Sequence, residues 1–126
     1  MSQYMLLLYP EHTDDPAERQ RREAEMPLWI ELYKSLDEAG ILVATGRLHP
    51  VDTATTVRER NGQTEVVDGP FAETKEFLAG YYVLECEDLD EALKHARRVP
   101  VSRYGSVEVR PLVADPLEPM PPAGEV

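Results

Sequence analysis

Residues Gly80–Pro100, GYYVLECEDLDEALKHARRVP, decide the fold. Gly80–Cys86 combines aromatic and apolar bulk at the length of a strand. Asp88-Leu89-Asp90-Glu91 then has the form of a capping box, an acceptor at the helix cap with a carboxylate three residues on. The helix it opens is expected to bury Leu89, Ala92, Leu93 and Ala96, spaced along one face. Acids in its first turn and Arg97 and Arg98 in its last both suit the helix dipole. Pro100 ends it. Ser106–Arg110 alternates as a further strand, stopped by Pro111. This half of the chain therefore reads strand, helix, strand.

The first half repeats the order. Tyr4–Tyr9 is a continuous apolar run that predicts a strand buried on both faces. Asp15-Pro16-Ala17-Glu18 marks a helix start, with Asp as cap and Pro at the first helical position. The turns that follow are almost wholly polar, and Pro27 kinks or restarts the helix because it has no amide to donate. Beyond it Leu28, Trp29, Leu32, Tyr33 and Leu36 recur at helical spacing, and Gly40 suits the position just past the end. Ile41–Ala44 predicts a second buried strand. Thr53–Arg60 and Thr64–Val67 flank Asn61-Gly62, a hairpin turn pair. The sum is two βαβ halves with an inserted hairpin, an α+β, ferredoxin-like split βαβ fold with both helices on one face of the sheet. Its other face is too apolar for water, so a homodimer with facing sheets is expected.

Composition narrows the partners. Thirteen Lys and Arg against 24 Asp and Glu leave a net charge of −11 across 126 residues. Such a chain is a poor ligand for nucleic acid or for an anionic membrane, because both attract cations. One cysteine, Cys86, excludes an intrachain disulfide, and with carboxylates beside it an inert thiol is expected. No apolar stretch near the start approaches the roughly 20 residues of a membrane helix, and no leader pattern precedes it; a cytoplasmic protein is expected. Residues 1–114 form the expected domain. Residues 115–126, with four of the 11 prolines, read as a mobile tail or an arm laid on a partner.

The least ordinary segment is Asp68-Gly69-Pro70-Phe71-Ala72-Glu73-Thr74-Lys75-Glu76. Asp-Gly-Pro is turn chemistry and explains itself. The charged cluster Glu73, Lys75 and Glu76 between Phe71 and Phe77 is not explained that way. A carboxylate at a strand end beside an aromatic and a lysine suits a base or a polar-ligand site. Asp68 is the candidate base, with His49 or Lys75 assisting. Phe71, Glu73, Lys75, Glu76, Arg47 and Arg58 are the candidate ligand contacts. Arg103 and Arg110 join Arg47 and Arg58 as a positive lining, or each arginine pairs with a neighbouring acid. His49 is otherwise a surface-loop histidine; His12 and His95 lie on polar stretches and are expected to be solvated. No histidine pair has metal-ligand spacing, so neither metal nor cofactor is expected.

The same nine residues resemble the signature of DGPF-domain proteins, a branch of the YCII-related family. Tyr4–Leu7, Ala54–Arg58, Asp88–Ala92 and Val107–Pro111 extend the resemblance over about residues 3–113. It implies a ferredoxin-like fold pairing into a dimeric α/β barrel. YCII-type relatives carry a His on the first helix and an Asp before the second-half Pro as an acid–base pair, and one kind removes chloride from a hydroxylated aromatic ring. Here Trp29 and Val99 stand near those positions, so the dyad is absent and that reaction is not carried over. Two functions remain. One is a small-molecule enzyme, lyase- or isomerase-like, working by proton transfer at the 68–76 loop. The other is a non-catalytic regulatory module: DGPF-type proteins are often encoded beside extracytoplasmic-function sigma factors, and the acidic charge suits a basic protein partner. A scaffold whose loop is an interface element is the third and barest reading.

Overall fold

The structure, a computed structural model, describes residues 1–120 and Pro122. In chain order its elements are β1 (Ser2–Pro10), α1 (Pro16–Glu23), α2 (Met26–Glu38), β2 (Leu42–Arg47), β3 (Thr55–Arg60), β4 (Gln63–Asp68), β5 (Gly80–Cys86), α3 (Leu89–Ala96) and β6 (Gly105–Pro111). Four strands form one sheet in the order β2-β5-β1-β6, with every pairing antiparallel. That α+β arrangement is compatible with a ferredoxin-like fold. The hairpin β3–β4, inserted in the chain between β2 and β5, forms a two-stranded sheet of its own. No helix among the described residues is long and apolar enough to cross a membrane.

Local chemistry sets the element ends. The Asp15 carboxylate accepts from the Ala17 amide at 3.0 Å, capping α1, which buries none of its side chains. Pro27 does restart the helix: α1 stops at Glu23 and α2 begins at Met26, with Pro27 in its first turn. Gly40 takes φ +72°, a left-handed value that glycine adopts without penalty. This lets the Gly40 amide donate to Asp37 O and the Ile41 amide to Leu36 O, both at 3.0 Å, which closes α2 in a Schellman turn. At the hairpin Asn61 and Gly62 both take positive φ, the pairing that matches strand twist. Asp88 caps α3 through the Glu91 amide at 2.9 Å, and the Glu91 carboxylate accepts from the Glu87 amide at 2.7 Å.

The core lies between the sheet and two helices. Tyr4, Leu6 and Leu8 of β1 share one face with Tyr82, Leu84 and Cys86 of β5 and with Val107 and Val109 of β6. Trp29, Leu32 and Leu36 of α2, Ala92 and Ala96 of α3, and Val99 and Val101 complete the layer. Gly105 brings β6 against the end of β1: a Cβ there would stand 2.2 Å from the Tyr9 carbonyl oxygen. The opposite side presents Met5, Leu7, Tyr9 and Tyr81 only half-buried, with Val83 among them.

Four expectations change. Tyr4–Tyr9 is buried on one face, not two, because the helices pack on alternate residues only. The second strand begins at Leu42 and is an edge strand whose Val43, Ala44 and Thr45 are exposed, with a bulge between Leu42 and Ala44. His95 is not solvated; it is 9% exposed, since it stands three residues after Ala92 on the inner side of α3. Leu89 stays exposed in its place. Of the expected tail, 115–120 and Pro122 are exposed, while Pro121 and 123–126 lie outside the described residues.

Leu84, fully buried, and Leu117, 90% exposed, give a direct comparison of the two regions. Leu84→Ala is expected to cost about 2–5 kcal/mol in urea unfolding, and Leu117→Ala no more than about 0.5 kcal/mol. Equal losses would show that the helix–sheet layer is not the stabilising core.

Candidate functional site

The 68–79 segment is a strap fastened at both ends. At its start the Gly69 amide donates to Ala54 O and the Thr56 hydroxyl to Gly69 O, each at 2.7 Å, holding the segment to the hairpin. At its end it runs beside the extension of β1. The His12 amide donates to Lys75 O at 2.7 Å, the Phe77 amide to Pro10 O at 3.3 Å and the Ala79 amide to Leu8 O at 2.8 Å. Glu11 and Glu76 form an antiparallel bridge, and the His12 imidazole meets the Phe77 ring edge-on at 6.2 Å. The Leu48 amide donates to Ala79 O at 2.8 Å, tying the 48–54 turn to the same place.

Between strap, turn and hairpin base lies a cavity of about 560 Å³. Its wall is mostly apolar and aromatic, with Tyr9, Phe71 and Phe77 among its members. His49 and Glu76 are its ionisable side chains apart from the Tyr9 phenol, and Thr53, Thr56 and Thr74 its hydroxyls. The Glu76 Oε1 accepts from the Ser106 hydroxyl of β6 at 2.7 Å, which orients the carboxylate. Thr74 donates to the Glu76 carbonyl. A second hollow, on the outer side of α2 between Pro27 and Glu38, is shallower; Glu31, Lys34 and Glu38 line it, and no aromatic residue does.

The sequence candidates divide around this cavity. His49, Phe71 and Glu76 line it, with Phe71 at the rim and 84% exposed. Asp68, Glu73, Lys75, Arg47 and Arg58 do not. Asp68 is exposed at the end of β4, opposite Thr55, and its carboxylate makes no hydrogen bond among the described residues, so it neither caps its own turn nor sits in a buried polar setting. Sequence reasoning missed Tyr9, Thr56 and Phe77. Tyr9 reads simply as strand, and nothing local signals that the strap pairs with the β1 extension.

Several other ionisable groups are engaged within the fold. Arg58 pairs with Glu65 across the hairpin at 3.4 Å, Arg103 with Glu25 at 2.9 Å, and Arg110 with Glu108 on its own strand. Arg22 lies 4.2 Å over the Tyr104 ring and donates to Glu11 O, fixing α1 against the start of β6. Cys86 is fully buried, and burial, with the Glu91 and Asp88 carboxylates nearby, pushes its thiol up to about 11. Among the described residues no three potential metal ligands come together. Both positions matched to the expected dyad are packing positions: Val99 is 1% exposed and Trp29 lies against the core.

The family model for the YCII-related domain matches residues 2–115. The chain belongs to the YCII-related family. It is 52% identical over 77 residues to an uncharacterised protein of Rhizobium meliloti (strain 1021), a match that spans 60% of this chain and 62% of that relative. The strap residues, within this family chain, thus take their interest from the geometry and not from a relative's known activity.

Burial, reinforced by the Arg98 guanidinium 3.3 Å from Nδ1, holds the His95 imidazole below its ordinary value, while Glu91 partly opposes this. The unfolded chain then takes up a proton more readily than the folded one. The contribution of neutral His95 is complete above about pH 6.5 and is lost as pH falls below it. His95→Gln is expected to flatten the decline in urea stability between about pH 7 and pH 5; an undiminished decline would assign it to other groups.

Proposed function

We propose that this YCII-related chain is a small-molecule-binding protein whose site is the cavity between the strap, the 48–54 turn and the hairpin base. The observation that carries this reading is the cavity itself. At about 560 Å³ it falls within the roughly 300–1,000 Å³ of ligand pockets. Its walls are mainly apolar with a few polar side chains among them, the composition of a pocket that orients a ligand. An imidazole and a carboxylate lining one cavity are also side chains of the kind suited to proton transfer. A lyase- or isomerase-like reaction in this protein would use His49 and Glu76 at the substrate, while Asp68 would act from the entry of the strap.

The test is a thermal-shift screen with phenols, small organic acids, phosphates and small organic amines. A ligand at a hundredfold excess over its Kd adds about 2.7 kcal/mol of stability. A hit is expected to weaken severalfold in His49→Ala and to persist in folded Asp68→Ala. A hit lost in Asp68→Ala alone would move the site to the outer end of the strap. A screen without hits would remove the support for a binding role.

The half-buried side of the sheet supports a second copy of the chain as its cover. Met5, Leu7, Tyr9 and Tyr81 lie there with Val83, rimmed by Glu85, Glu108 and Arg110. Tyr9 belongs to that side and to the cavity wall, so a dimeric barrel would place the cavity at the edge of the interface. The chain is expected to sediment as a dimer at micromolar concentration and Leu7→Lys as a monomer. A monomeric wild type would overturn facing sheets. A non-catalytic module for a basic protein partner, such as a sigma factor, is the second reading. It draws on the net charge of −11 and on Val57 and Val66, exposed opposite each other on the hairpin.

A further inference from the structure

The charges around the cavity are one-sided. Glu76 contributes a carboxylate to the wall, and no lysine or arginine among the described residues joins it. Of the three cations expected from sequence as ligand contacts, Arg58 is engaged with Glu65 on the hairpin, and Arg47 and Lys75 are exposed and outside the lining. Glu76 makes no ion pair within 4.0 Å among the described residues, with His49 or with any other cation. Its Oε1 is held by Ser106, and its Oε2 has no hydrogen-bond partner there. The backbone of Glu76 is fixed by its bridge to Glu11. The carboxylate is thus oriented in advance, with one oxygen left for a donor that the protein does not supply.

The surroundings favour a positive donor. Tyr9, Phe71 and Phe77 line the same cavity, and the negative faces of aromatic rings attract a cation. A net charge of −11 adds a long-range field that draws cations in and repels anions. An anionic ligand would meet Glu76 with like charge and no lysine or arginine to compensate it. A neutral ligand would leave the carboxylate without a charged partner.

We propose that the cavity selects a small organic cation, a primary or secondary amine on a flat apolar body, with the ammonium on Glu76 Oε2 and the body against the aromatic wall. This rests on the cavity being the binding site and specifies what it takes. It also separates the cavity from the carboxylate or phosphate site that an arginine lining would make.

Benzylamine, benzyl alcohol and benzoate share one ring and differ in charge, so titration calorimetry of all three against the full chain tests the proposal. Benzylamine is expected to bind at least about tenfold more tightly than benzoate, which is one step of about 1.4 kcal/mol. The preference should persist in high salt, where the long-range field is screened. Glu76→Gln should bring benzylamine down to the level of benzyl alcohol, and Glu76→Asp should keep the preference. Benzoate binding as tightly as benzylamine, at a site sensitive to His49→Ala, would overturn the cation inference and leave the binding site standing. Benzylamine affinity unchanged in Glu76→Gln would overturn it too. If neither Glu76 variant folds, the wild-type order of the three probes in high salt decides. Binding of none of them would overturn the inference, while hits in the thermal-shift screen would keep the binding site.

Discussion

The central position of β1 is the constraint on which the rest depends. Its register places Leu6 between Tyr82 on one side and Val109 on the other, and Leu7 between Tyr81 and Glu108. Side chains alternate across a strand, so a slip of one residue would exchange the two sets. Helices α2 and α3 have apolar stripes that accept only the first set. The fit of those stripes therefore selects the register. The register in turn determines which residues remain on the side without helices.

The same strand governs the cavity, because its pairing continues past the end of the sheet. Residues Pro10–His12 carry on the antiparallel contact with 75–77, where the chain is no longer regular strand. Glu76 is positioned by that continuation and by Ser106 at the start of β6. One half of the cavity wall is thus an extension of the sheet and shares its rigidity. The other half, the hairpin base and the 48–54 turn, is joined to it through Gly69, Thr56 and Leu48.

Much of the fold was legible because its signals are local. The caps at Asp15 and Asp88, the restart at Pro27, the turn at Gly40 and the hairpin at Asn61-Gly62 each follow from a few adjacent residues. The candidate site was legible only in part. The 68–76 block stood out through its composition, and three of its neighbourhood's candidates, His49, Phe71 and Glu76, do line one cavity. Which of them share it depends on pairing between residues more than sixty positions apart, for which no local pattern exists. The solvated reading of His95 failed for a related reason. Its neighbours Lys94 and Arg97 are polar, but the inner side of a helix is set by spacing, and the Arg98 and Glu91 side chains provide for the ring once it is buried.

The separate two-stranded sheet has a consequence for how such a protein changes over time. A hairpin of this size is barely stable alone, and β3–β4 is held to the body mainly through its base. Substitutions along its arms lie far from the helix–sheet core, so their effects on stability should add independently to those in the core. One wall of the cavity can therefore drift while the sheet is conserved by its own packing. The lining splits accordingly: Tyr9 and Glu76 are tied to the sheet, whereas the residues of the 48–54 turn and the hairpin base can change at less cost to the fold.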